Sequence, residues 1–138
     1  MPNHLHVLLY YNGTDQSLNT IIGNGKRFMA YEIVERLKQK GNDEIIARLQ
    51  KAVHAKDRSR GKIHEVWKDS FNVKECRTEK FIMQKLYYIH NNPCSGKWKL
   101  AVDSIHYLHS SASFYISGKK GICEVRDYRE FLNFEAER

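Results

Sequence analysis

The chain has 138 residues, 41% of them hydrophobic and 28% charged, which fits one soluble globular domain over residues 1–138 and excludes wholesale disorder. Twenty-three Lys and Arg against sixteen Asp and Glu give +7, a sign that suits a polyanionic partner, most often nucleic acid, though an acidic membrane or mere solubility fits charge alone. No apolar run approaches the roughly 18 residues of a membrane span. Met1-Pro2-Asn3-His4 lacks the pattern of a signal peptide, and Cys76, Cys94 and Cys123 form no CxxC pair. A reduced, cytoplasmic protein away from membranes is the expectation.

Residues Leu5 to Tyr11 (LHVLLYY) read as a β-strand ending at the Asn12-Gly13 turn signal. Thr14 or Asp15 then caps a helix carrying Leu18, Ile21, Ile22, Met29, Ile33 and Leu37. Gly23 and Gly25 inside it predict a break or a close backbone approach. Lys40-Gly41-Asn42 is a stop followed by a new cap, and Ile45, Ile46, Leu49 and Val53 mark a second helix. The stretch from His54 to Lys62 is basic and aperiodic, so a loop is expected. Val66-Trp67 and Phe71 to Val73 are short pieces of strand or turn. Thr78 and Glu79 open a third helix with Ile82, Leu86 and Ile89 as its apolar stripe, ending before Pro93. Trp98 to Val102 reads as a loop, Gly121 to Val125 as a candidate strand, and Tyr128 to Phe134 as a short helix. The aromatic, serine-rich stretch Tyr107 to Ile116 lies between. Together these predict an α+β domain.

Two clusters carry chemistry. In a strand His4 and His6 point to one face, with Cα atoms roughly 7 Å apart, close enough for both imidazoles to hold one divalent ion. The same alternation also describes polar residues facing solvent. On the third helix Tyr88 and Asn92 are one turn apart and share an edge beside the apolar stripe. A tyrosine and an amide there suit a metal held from the sheet, while half-buried packing of Tyr88 and helix termination at Asn-Pro are the plain alternative. A phenol of pKa near 10 needs a nearby cation to act as a nucleophile on phosphorus.

Met1-Pro2-Asn3-His4-Leu5-His6-Val7-Leu8-Leu9 together with Tyr88-Ile89-His90-Asn91-Asn92-Pro93 closely resembles the REP-associated tyrosine transposases. These are single-tyrosine members of the HUH nuclease group (His, bulky apolar residue, His). Val66-Trp67 and the stretch Tyr107 to Tyr115 extend the resemblance over nearly the whole chain. It implies an antiparallel sheet with helices packed on it, a ferredoxin- or RRM-like HUH nuclease fold. It also implies metal-dependent nicking and rejoining of single-stranded or hairpin DNA. His4, His6 and Asn92 would hold Mg2+ or Mn2+, and Tyr88 would form a 5′-phosphotyrosine link, with Tyr87 the rival nucleophile. Family members usually carry a further strand and helix ahead of this motif, so a fold shortened at its N-terminus, with an open sheet edge, is expected. The alternative is a degenerate homologue that binds such DNA without cleaving it. Related transposases work as monomers or as homodimers, and the sequence leaves both open.

For the DNA surface the candidates are Lys26 and Arg27 on the first helix and Arg58, Arg60 and Lys62 around the basic loop, against the plainer reading of a solvated face. Trp67, Phe71, Trp98 and Tyr115 are candidate stacking platforms, although aromatic residues fill cores more often. His54, His64, His106 and His109 read as surface or hydrogen-bonded residues rather than ligands.

Overall fold

The computed structural model describes residues 1–13, 15–68 and 71–132. Every regular element among them is helical: α1 (Leu18–Gln39), α2 (Asp43–Lys51), α3 (Ala55–Arg58), α4 (Glu79–Asn91) followed by a 3-10 turn (Asn92–Cys94), α5 (Ala112–Ser117) and α6 (Arg129–Leu132). The expected α+β architecture, an antiparallel sheet with helices on it, is therefore corrected: no strand occurs among the described residues. The physical reason is visible at the N-terminus. Exposure still alternates there, with His4, His6 and Leu8 half-buried while Leu5, Val7 and Leu9 are exposed. A strand exists only through ladder bonds to a neighbour, however, and no described segment makes such bonds to this one. The stretch Gly121 to Val125 likewise stays irregular, as do Val66-Trp67 and Phe71 to Val73. No helix among the described residues is long and apolar enough to cross a membrane.

The chain divides into two compact units, one of residues 11–73 and one of residues 1–10 with 74–138. In the first, α1 starts at the Ser17 cap, whose hydroxyl accepts the Thr20 N–H at 3.2 Å. That is later than expected from Asp15, and Thr14 lies outside the described residues. The helix runs unbroken through Gly23 and Gly25, and nothing approaches within 4 Å of where a Cβ would stand at either, so neither the break nor the close approach occurs. Its end is a left-handed glycine stop: Gly41, at φ 62°, lets its own N–H reach Lys38 O and the Asn42 N–H reach Leu37 O, both at 2.9 Å. Asn42 then caps α2 by accepting the Ile45 N–H at 3.3 Å. Val34 and Val53 are the buried apolar residues of this unit. The expected loop from His54 to Lys62 holds one short helix, α3, followed by a turn.

In the second unit α4 begins where the sequence places it, with Thr78 accepting the Phe81 N–H at 3.3 Å. Its buried stripe is Ile82, Leu86 and His90, with Ile89 half-buried at the margin. Steps of four residues drift by about 40° on a helix, so this stripe winds slowly round the axis. Fully buried Ala112 at the start of α5 belongs to the same unit. Because Leu86 is only 8% exposed, Leu86→Ala is expected to cost about 2–4 kcal/mol of unfolding free energy, measured by chemical denaturation. The short C-terminal helix is present as α6, and residues 133–134 of its expected span lie outside the described residues.

Candidate functional site

Four side chains from two distant parts of the sequence meet within the second unit. The His4 and His6 ring centroids lie 4.9 Å apart, edge to face. Asn92, in the turn that follows α4, brings its amide Nδ2 to 3.0 Å from His6 Nε2 and 3.4 Å from His4 Nε2. The Tyr88 ring stands edge-on to His6 with centroids 5.7 Å apart. Tyr88 itself is 57% exposed, whereas both histidines and Asn92 are half-buried.

Proton positions follow from the partners. An amide nitrogen only donates, so a ring whose Nε2 accepts from Asn92 carries its proton on Nδ1. For His4 that proton has a destination, the Asn3 Oδ1 at 2.7 Å. An outer amide that fixes the tautomer and aims the Nε2 lone pair inward is the usual arrangement around metal-ligating histidines. Burial, then the neighbouring His4, then the N-terminal ammonium, hold His6 below the usual imidazole value. A neutral ring keeps one lone pair on Nε2, and here that lone pair faces the Asn92 amide nitrogen.

The residue types fit a divalent cation, two imidazoles and an amide whose oxygen is a good ligand for Mg2+ or Mn2+, but the Asn92 amide presents its nitrogen to the rings here and must turn over to serve. The set carries no carboxylate, and among the described residues no group of three or more His, Cys, Asp or Glu is arranged to hold a metal. A cation there would draw its remaining ligands from water, the usual habit of hard divalent ions.

Tyr87, the rival nucleophile, is 72% exposed, and no described ring or hydroxyl contact joins it to the histidines. The other histidines are elsewhere. His106 is bonded to Asp103 at 2.8 Å, His64 lies 3.5 Å from Gln50 Nε2, His109 packs on Tyr107, and His54 precedes α3. All three cysteines are free thiols.

The basic candidates belong to the unit of residues 11–73, and internal bonds engage most of them. Lys26 Nζ donates to Lys68 O at 2.6 Å while the Lys26 carbonyl accepts the Trp67 indole N–H at 2.8 Å. Arg58 donates to Gln50 O at 3.0 Å, closing the end of α2. Lys62 pairs with Glu65 and Asp57. Arg27 lies over the Phe28 ring, and Arg60 is exposed. Of the stacking candidates, Trp67 is tied to α1 and Tyr115 is half-buried, bonded to Arg126 and Tyr128. Trp98 is half-buried beside Lys97, and Phe71 is exposed.

Two contributors escape sequence reasoning. Asn3 orients His4, and its only signal is its place next to that histidine. The second, Ser111, bonds to His90 from 21 residues away, and no spacing announces it. No family model matches the chain, and no curated protein or solved structure matches it at a significant level.

Proposed function

We propose that the chain nicks and rejoins single-stranded DNA, hairpin DNA included, with Tyr88 as nucleophile and with His4, His6 and Asn92 holding Mg2+ or Mn2+. The observation that supports it is the convergence of Tyr88, Asn92 and both imidazoles across sequence separations of up to 88 residues. The Tyr88 oxygen attacks phosphorus; the Tyr–O–P bond forms and the P–O3′ bond breaks. The phenol proton passes to solvent, and the departing 3′ oxygen takes one up. The products are a 5′-phosphotyrosine link and a free 3′-hydroxyl, and attack by that hydroxyl reverses the step with the bond energy conserved. A divalent cation, when bound, supplies positive charge that favours the phenolate and polarises the phosphoryl oxygen. Exposure of Tyr88 suits a polymeric substrate, since a phosphodiester within a strand cannot enter a closed pocket.

A DNA-binding homologue without cleavage is the second reading. It is favoured by the N-terminal segment, whose imidazoles are backed by side-chain contacts and not by a sheet. A labelled hairpin oligonucleotide incubated with the chain and Mn2+ separates the two. A covalent adduct that survives denaturing electrophoresis supports the enzyme; retention of the oligonucleotide on the native protein without adduct supports the binder.

The basic surface makes a graded prediction. Arg60→Ala is expected to reduce the salt slope of DNA binding by about one. Arg58→Ala, whose guanidinium caps α2, is expected instead to lower stability by about 0.5–1 kcal/mol and to leave that slope unchanged, as thermal melts and salt titrations will show.

A further inference from the structure

The cluster of His4, His6, Tyr88 and Asn92 depends on how α4 is turned about its own axis. Tyr88 and Asn92 occupy one edge, and His90 lies about 200° round the helix from Tyr88, on the buried side at 5% exposure. Apolar contacts through Ile82 and Leu86 resist separation of the helix from its surroundings, but they are not directional. A hydrogen bond is. His90 Nε2 lies 2.9 Å from Ser111 Oγ, and Ser111 directly precedes fully buried Ala112 in α5.

One turn further along α5, the Tyr115 ring packs 5.7 Å from His90. The Tyr115 hydroxyl donates to Arg126 O and accepts the Tyr128 N–H, both at 3.3 Å. Tyr128 in turn donates to Glu79 Oε1 at 3.4 Å, back on the first residue of α4. The helix is thus gripped through directional bonds at both ends, roughly 16 Å apart along its axis.

We propose that His90 and Ser111 are positioning residues for this cluster, the bond between them setting the rotation of the last turn of α4 so that Tyr88 and Asn92 face His6. This rests on the reading of the cluster as the functional site. A rotation of about 10° displaces a side-chain atom roughly 6 Å from the axis by about 1 Å, and errors of that size at a reacting group cost up to about a hundredfold in rate.

The test uses the full chain and three variants. His90→Leu combined with Ser111→Ala removes donor and acceptor together, leaving no buried polar atom unpaired. Ser111→Ala alone is the gentler change, and His90→Gln keeps a polar group at the Nε2 position. The first readout is the nuclear Overhauser contact between the His6 and Tyr88 rings, which needs neither metal nor DNA. It is expected in the wild type and in His90→Gln, and lost in the double variant while the melting transition stays cooperative. The second is Mn2+ binding by paramagnetic resonance, expected to weaken about tenfold in the double variant and less than threefold in His90→Gln.

An unchanged ring contact and unchanged Mn2+ binding in a folded double variant would overturn the proposal and reduce His90 to a satisfied core histidine. If the double variant does not fold, the same two measurements on Ser111→Ala decide, and wild-type behaviour there overturns it. A wild-type chain that shows the ring contact but forms no DNA adduct would instead remove the cleavage reading and leave the clamp standing.

Discussion

Tyr88→Phe is expected to abolish the covalent DNA adduct, with the cleavage rate falling by at least about a thousandfold and the dissociation constant for the same oligonucleotide changing less than about twofold. The substitution deletes one oxygen and keeps the ring, so the edge-to-face contact with His6 survives. Because Tyr88 is 57% exposed, the lost hydroxyl leaves no buried partner unsatisfied, and the fold has no reason to change. On the proposed reading Tyr88 is the group that forms the bond to phosphorus, and deletion of a nucleophile typically costs many orders of magnitude. Tyr87→Phe is the control: Tyr87 is more exposed and makes no described ring contact with the imidazoles, so adduct formation should be unaffected. Adduct formed by Tyr88→Phe but not by Tyr87→Phe would exchange the roles of the two tyrosines.

His6→Ala should lose Mn2+ binding altogether and adduct formation with it, read by paramagnetic resonance and by denaturing electrophoresis. His6 faces both Asn92, at 3.0 Å, and Tyr88, so its removal takes away a donor and the contact that aligns the nucleophile. His4→Ala should weaken the metal as well but spare the alignment, because His4 meets Asn92 at the longer 3.4 Å and is held by Asn3 rather than by Tyr88. The donor set is uncharged, so Mn2+ should bind weakly to the free protein and more tightly with DNA present, when a phosphate oxygen completes its shell. Linkage requires the converse by the same factor: DNA should bind more tightly with Mn2+. Equal Mn2+ affinity with and without oligonucleotide would sink the shared-phosphate arrangement.

Helices were legible because their signals are local. The Thr78 cap, the left-handed Gly41 stop and the Asn42 cap are settled by a few neighbouring residues, and α1, α2 and α4 appear where apolar periodicity places them, although α1 is capped by Ser17 and not by Asp15. The sheet was misread because strand character is a property of pairs. Leu5 to Tyr11 has the composition and the alternation, yet without a neighbour to complete its ladder the segment remains unpaired. The same limit applied to charge: Lys26, Arg58 and Lys62 count as free cations in a composition, and the structure engages each in an internal bond.

By itself, then, the sequence determined which residues share an edge of a helix and which alternate along an extended segment, since backbone geometry fixes both. It thereby singled out His4 with His6, and Tyr88 with Asn92. Only the tertiary structure decided that these two pairs meet, that Asn3 aims His4, and that His90 faces inward to Ser111. Those are contacts between segments up to 88 residues apart, within the unit that joins the N-terminal residues to the chain from residue 74 onward. Periodicity along a chain carries no information about which distant segment will come to lie alongside.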